Sequence, residues 1–120
     1  MKKLSSILEQ NAPKASLQRR IDKANAAIAQ AAKDDVWAVE TDSTWENEIV
    51  HHPIEVKGDW ITFKYEDKSE FNRKKAEKKE RYKWNSVDGM HDEDISYMLS
   101  WIVKTIKKGY REEGKTVPKF

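Results

Sequence analysis

The apolar positions along this chain change period twice. Over residues 14–33, Leu17, Ile21, Ala24, Ile28 and Ala31 recur in alternating steps of four and three. That is the seam of an amphipathic helix. Pro13 stands where a first helical turn tolerates it, and Asp34 and Asp35 end the seam. Two heptads are too few for a coiled-coil dimer, so the stripe predicts packing inside the molecule, with alanines admitting a close neighbour. Ahead of it, Ser6 and Glu9 have capping-box spacing and predict a short helix or turn over residues 5–9.

From 36 to 66 the period shortens to two, which predicts a β-meander. Residues 36–41 and 45–50 are β-rich and are separated by Asp42, Ser43 and Thr44. Pro53 marks an edge or a break. Gly58 and Asp59 suit a two-residue hairpin loop. Residues 60–66 form the clearest strand, with Ile61, Phe63 and Tyr65 on one face and Trp60, Thr62, Lys64 and Glu66 on the other.

Residues 91–112 return to the helical period. Ile95, Met98, Leu99, Ile102, Ile106 and Tyr110 form one stripe with Val103 at its edge. Asp92, Glu93 and Asp94 crowd the start and Lys104, Lys107, Lys108 and Arg111 the end, both in the sense the helix dipole favours. His91 or Asp92 is the expected N-cap, Gly114 the C′ residue, and Pro118 lies beyond the end. Gly109 inside the helix costs about 1 kcal/mol relative to alanine. The expected fold is one α+β domain: a three- to four-stranded antiparallel sheet packed against a long C-terminal helix, with an N-terminal helix beside it.

Composition narrows the classes. The 120 residues suit one domain, 38% hydrophobic and 37% charged, with five tryptophans and a net charge of +2. No apolar run approaches a membrane span, and the opening residues lack the sustained apolar stretch of a signal peptide. The absence of cysteine excludes disulfides, thiol nucleophiles and thiolate metal sites from this chain and suits a cytoplasmic location. Charge is uneven. Residues 68–83 hold eight Lys or Arg against three Glu, a net of +5. Residues 67–83 therefore read as a basic excursion, either a solvated helix or a long connection between strands, and Tyr82 and Trp84, alternating with Lys83, read as a returning strand.

Catalytic chemistry is not signalled. His51 and His52 would point to opposite faces of a strand, and the acids after His91 are explained by the helix dipole. The four glycines form no phosphate-binding loop. No metal, cofactor or catalytic group is expected. Two binding surfaces are. On the second face of the C-terminal helix, Tyr97 and Trp101 stand beside Lys104 and Lys108. Either another element, such as the N-terminal helix, covers them, or they form a protein-partner surface. The alternative is nucleic acid, held by Arg73, Lys74, Lys75, Lys78 and Lys79 with Tyr82 and Trp84 stacking on bases.

The run His91, Asp92, Glu93, Asp94, Ile95, followed by Tyr97 and then Trp101, resembles the start of the C-terminal helix in a family of small early proteins of T7-like phages that inhibit the host dGTP triphosphohydrolase. The run from Ile61 through Lys68 to Ser69 is similar to that family's central strand, with its Glu-Asp-basic-Ser ending. The order helix, strands, acid-capped helix is similar too. This chain is longer and adds the basic segment. The resemblance implies a non-enzymatic phage-type protein that binds and inhibits a host enzyme or defence complex, as anti-CRISPR proteins do, in the host cytoplasm.

Overall fold

The structure, a computed structural model, describes residues 13–41, 45–68 and 76–120. The turns expected over 5–9 and 42–44 lie outside them. Helix α1 (Ala15–Lys33) buries Ile21, Ala24, Ala27, Ile28 and Ala31. It stops at a Schellman motif, in which Val36 N–H donates to Ala31 O (2.9 Å) and Asp35 N–H to Ala32 O (3.3 Å). Asp35 adopts the left-handed conformation that this motif requires, with φ 54°. The turn sends Val36 back into the core.

Five strands follow: β1 (Ala38–Thr41), β2 (Glu46–His51), β3 (Glu55–Lys57), β4 (Trp60–Asp67) and β5 (Ala76–Lys83). All pair antiparallel. β4 is central. One of its edges takes all eight residues of β5, and the other is shared by β2 and β3. The register shows how the sharing works. Ile49, Val50 and His51 face Asp67, Glu66 and Tyr65, while Glu55, Val56 and Lys57 face Thr62, Ile61 and Trp60. In between, His52, Pro53 and Ile54 stand opposite only Phe63 and Lys64, which is a β-bulge. The break expected at Pro53 is this extra residue, and β2 and β3 act as one bent strand. The bulge leaves the Ile54 peptide without a strand partner. Asn25 of α1 supplies one: Ile54 N–H donates to Asn25 Oδ1 (2.7 Å) and Asn25 Nδ2 donates to Ile54 O (3.3 Å).

The sheet has five strands where three or four were expected, and the returning strand expected at Tyr82 and Trp84 starts earlier, at Ala76. Ala76–Lys83 is neither a helix nor an irregular connection. Along β4, a row of unpaired backbone donors and acceptors outweighed the weak i,i+4 pairs that a helix there would gain. Gly58 and Asp59 make the β3–β4 loop, with Gly58 at φ 58°.

After a 3-10 turn (Val87–Gly89), helix α2 (Asp92–Glu112) buries the expected stripe together with Thr105 and Gly109. His91 is the N-cap residue, without a side-chain capping bond. α2 runs beside α1 in the same direction: Arg20 reaches Ser96 and Ser100, and Asp34 accepts from Tyr110 Oη at 2.6 Å. Gly109 has a positive role, because a Cβ there would collide with the carbonyl oxygen of Trp37. Glycine lets the chain entering β1 lie against the helix. A second Schellman motif closes α2, with Lys115 N–H donating to Tyr110 O (2.9 Å) and Gly114 at φ 67°.

Replacing Asn25 tests the clamp on the bulge. Asn25→Leu is expected to lower unfolding free energy by about 2–3 kcal/mol, because a part-buried peptide loses both partners. Asn25→Asp keeps the acceptor for Ile54 N–H but sets a carboxylate oxygen against Ile54 O, so it should lose about as much. Urea denaturation read by circular dichroism measures both, and a neutral leucine variant would contradict the assignment.

Candidate binding surfaces

The four residues expected on the second face of α2 separate in the structure. Tyr97 is 64% exposed. Trp101, one turn on, is half-buried, and its cover is the sheet rather than α1. Its ring meets His51 edge-on at 4.9 Å and Tyr65 at 5.0 Å. Lys104 turns toward α1, where it lines a groove with Arg20 and Lys23. Lys108 is half-buried. Trp101 is thus largely engaged in the fold, and Tyr97 is the aromatic of that face open to solvent.

His51, beneath Trp101, shows how dry this junction is. The single proton of the Thr105 hydroxyl goes to a helix carbonyl, Trp101 O at 2.8 Å or Ile102 O at 3.1 Å. His51 Nε2 therefore donates to Thr105 Oγ1 at 2.9 Å, and its Nδ1 carries no proton. Burial, helped by the neighbouring His52, pushes the His51 pKa down from 6.5 to about 3. Burial also raises the Tyr65 hydroxyl, with Glu80 and Glu40 adding to the effect. Each of the three histidines has its own partner: His52 lies 3.6 Å from Glu66 and His91 lies 3.3 Å from Asp94. Among the described residues no three His, Asp or Glu side chains gather where they could hold a metal ion. Among them, too, no helix is long and apolar enough to cross a membrane.

The basic segment is divided by its strand. Arg73, Lys74 and Lys75 lie outside the described residues. Lys78 and Lys79 are exposed but point to opposite faces of β5. Tyr82 turns inward between Phe63 and His91, at 6.3 and 5.7 Å between ring centres. Trp84 Nε1 donates to Gly58 O at 2.9 Å. On the outer face the Arg81 guanidinium lies 4.3 Å above the Trp60 ring, with the Lys83 ammonium at 5.4 Å. Among the described residues, Tyr82, Trp84 and Trp60 are thus already engaged by neighbouring groups of the fold.

Sequence reasoning missed a third surface. Trp37, 44% exposed, sits in a hollow of about 500 Å³ with Asp35, Glu46, Glu48, Glu112 and Glu113 around it. Glu113 pairs with Lys115 at 3.3 Å. The other four carboxylates have no ion-pair partner among the described residues. Trp45, 53% exposed, immediately precedes β2. The hollow is assembled from residues 35–48 and 109–113, so no local pattern announces it. The one signal was acid at the ends of both helices, where the dipole disfavours it.

Comparison with family models, curated proteins and solved structures finds no match to this chain.

Acid should weaken the His51 junction. Between pH 6.5 and about 3 the unfolded chain protonates this histidine and the folded chain does not. The unfolded state then binds more protons, so stability falls as pH drops through that window, by up to about 1.4 kcal/mol per unit. Denaturation midpoints from pH 7 to pH 4 should decline more steeply for the wild type than for His51→Gln. Parallel pH profiles would contradict the burial of a neutral imidazole.

Proposed function

We propose that this chain is a non-enzymatic binding protein that docks on a host enzyme or defence complex and blocks it, as a phage-encoded inhibitor in the host cytoplasm. The observation that carries the reading is the acidic hollow around Trp37. An exposed tryptophan in a concave, single-sign surface is the anchor-and-rim composition of a protein interface. Its sign selects a basic partner surface. Enzymes and defence complexes that handle nucleic acids hold phosphate with such surfaces, so a protein seated there excludes the natural ligand.

The position of the acids adds support. Asp35 follows the C-terminus of α1, and Glu112 and Glu113 close α2. Each carboxylate at the negative end of a helix costs about 0.3–1 kcal/mol. At Glu112 and Glu113 acid thus stands where lysine would complement the helix dipole. The family resemblance names dGTP triphosphohydrolase as the first target to try.

Two measurements test the proposal. Purified chain is titrated into host dGTP triphosphohydrolase, and tagged chain is used to capture proteins from nuclease-treated bacterial lysate. The expected result is a salt-sensitive partner retained by wild type and lost with Trp37→Ala/Glu112→Lys. Glu112→Lys alone should leave the melting temperature unchanged or higher, and the melting temperature of the double variant is read beside its capture so that a loss is scored on folded protein. A double variant that captures the same proteins as wild type would sink the reading.

A further inference from the structure

The groove between α1 and α2 is the opposite of the hollow in sign. Arg20 and Lys23 line it from α1, and Lys104, Lys107 and Arg111 from α2. Its volume is about 430 Å³, and its floor is Leu99, Val103 and Ser100. No carboxylate lines it. None of the five cations has an acid within 4.0 Å among the described residues. Arg20 is held in place by neutral acceptors, Ser96 O at 3.3 Å and Ser100 Oγ at 3.5 Å, so its charge is oriented without being cancelled. A second cavity, of about 520 Å³, shares Arg20 and continues the seam toward Lys14 and Trp84, with Asp92 as its one acid.

We propose that this seam is a binding track for the phosphodiester backbone of single-stranded nucleic acid. Two features select that ligand. The first is the hydrogen-bonding character of the lining. Its side chains are cationic donors, with the Ser100 hydroxyl beside them. A phosphodiester chain brings only acceptors along its backbone and matches such a wall. A polypeptide brings an N–H at nearly every residue, and these would find almost no acceptor in the groove. The second feature is width. Packed helices have axes about 8–10 Å apart, so the seam admits one strand and not a duplex. Lys104 and Arg111 are separated by seven residues, about 10 Å of helix. The track therefore meets two or three successive phosphates, while Leu99 and Val103 offer an apolar floor to sugars and base faces. Affinity is backbone-driven and indifferent to sequence. This site differs in position from the basic hairpin of β4 and β5.

The test uses the full chain and a fluorescein-labelled oligo(dT) 20-mer, read by anisotropy. Oligo(rU), a 20-base-pair duplex and polyglutamate serve as competitors. Binding is expected at 50 mM salt and should fall at least about fivefold by 200 mM, as displacement of counterions from two or three phosphates requires. Oligo(rU) should compete as well as oligo(dT), and duplex and polyglutamate at least about tenfold worse. Lys23→Gln/Lys104→Gln/Lys107→Gln should weaken binding at least tenfold. Its melting temperature should be unchanged or higher, because like charges are removed. Arg81→Gln/Lys83→Gln should stay within about twofold of wild type. Amine-reactive footprinting of unmodified protein gives a readout that needs no variant: oligo(dT) should protect Lys23, Lys104 and Lys107. Overturning results are an absence of binding, equal competition by duplex or polyglutamate, dependence on the hairpin variant, or no protection of these lysines.

Discussion

One extra residue in the strand formed by β2 and β3 decides which side chains the sheet offers its helices. In a strand of uninterrupted alternation His51 and Ile54 would face opposite sides. The bulge at His52, Pro53 and Ile54 buries both. Without it either Ile49 and His51 or Ile54 and Val56 would turn outward, since a one-residue slip inverts every position downstream. The bulge also strands a peptide unit, and the Asn25 amide answers it from α1. The bend, the position of α1 and the buried pair of His51 and Thr105 thus depend on one local irregularity.

A second consequence concerns direction. Both helices run the same way on one face of the sheet, so their dipoles add instead of cancelling. Their C-termini meet near Asp34, where the Tyr110 hydrogen bond, supported by Gln30 and nearby lysines, holds the carboxyl below its ordinary value. The acidic hollow lies at this end. The basic groove runs along the seam between the same two helices. A chain with 23 basic and 21 acidic residues is nearly neutral overall and strongly polar in the arrangement of its charges.

Much of the fold was legible because it repeats. The apolar stripe of α2, the seam of α1, the alternation of β4 and the glycine loop at Gly58 each rest on several residues that agree. What escaped were features that rest on one residue or on distant ones. Only the end of β5 was legible, in the alternation of Tyr82 and Trp84 about Lys83; its start was hidden because Lys78 and Glu80 occupy the inward alternating positions, so charge masked the period. Asn25 gave no warning, since asparagine on a helix flank usually meets water. Trp101 read as either covered or open, with α1 as the expected cover, because the pairing of its ring with His51 and Tyr65 of the sheet joins residues far apart in sequence. Helix periodicity placed Tyr97 and Trp101 on one side, but a rotation of about 40° between them separates ridge from interior.

The five tryptophans sharpen the point. Trp60 lies under Arg81, Trp84 is tied to Gly58, and Trp101 is wedged against His51 and Tyr65. Trp37 and Trp45 stay largely open, at the end of the sheet where β1 forms an edge. An edge strand needs charge nearby to stop it pairing with a second copy of itself. That need is indifferent to sign, and lysine serves it well. Here the side chains lining the hollow carry only acid, with Lys115 pairing one of them, and Glu112 and Glu113 stand at a helix C-terminus where lysine would complement the dipole. Edge protection accounts for the presence of charge around Trp37. It does not account for its sign, and the sign is what a basic partner would read.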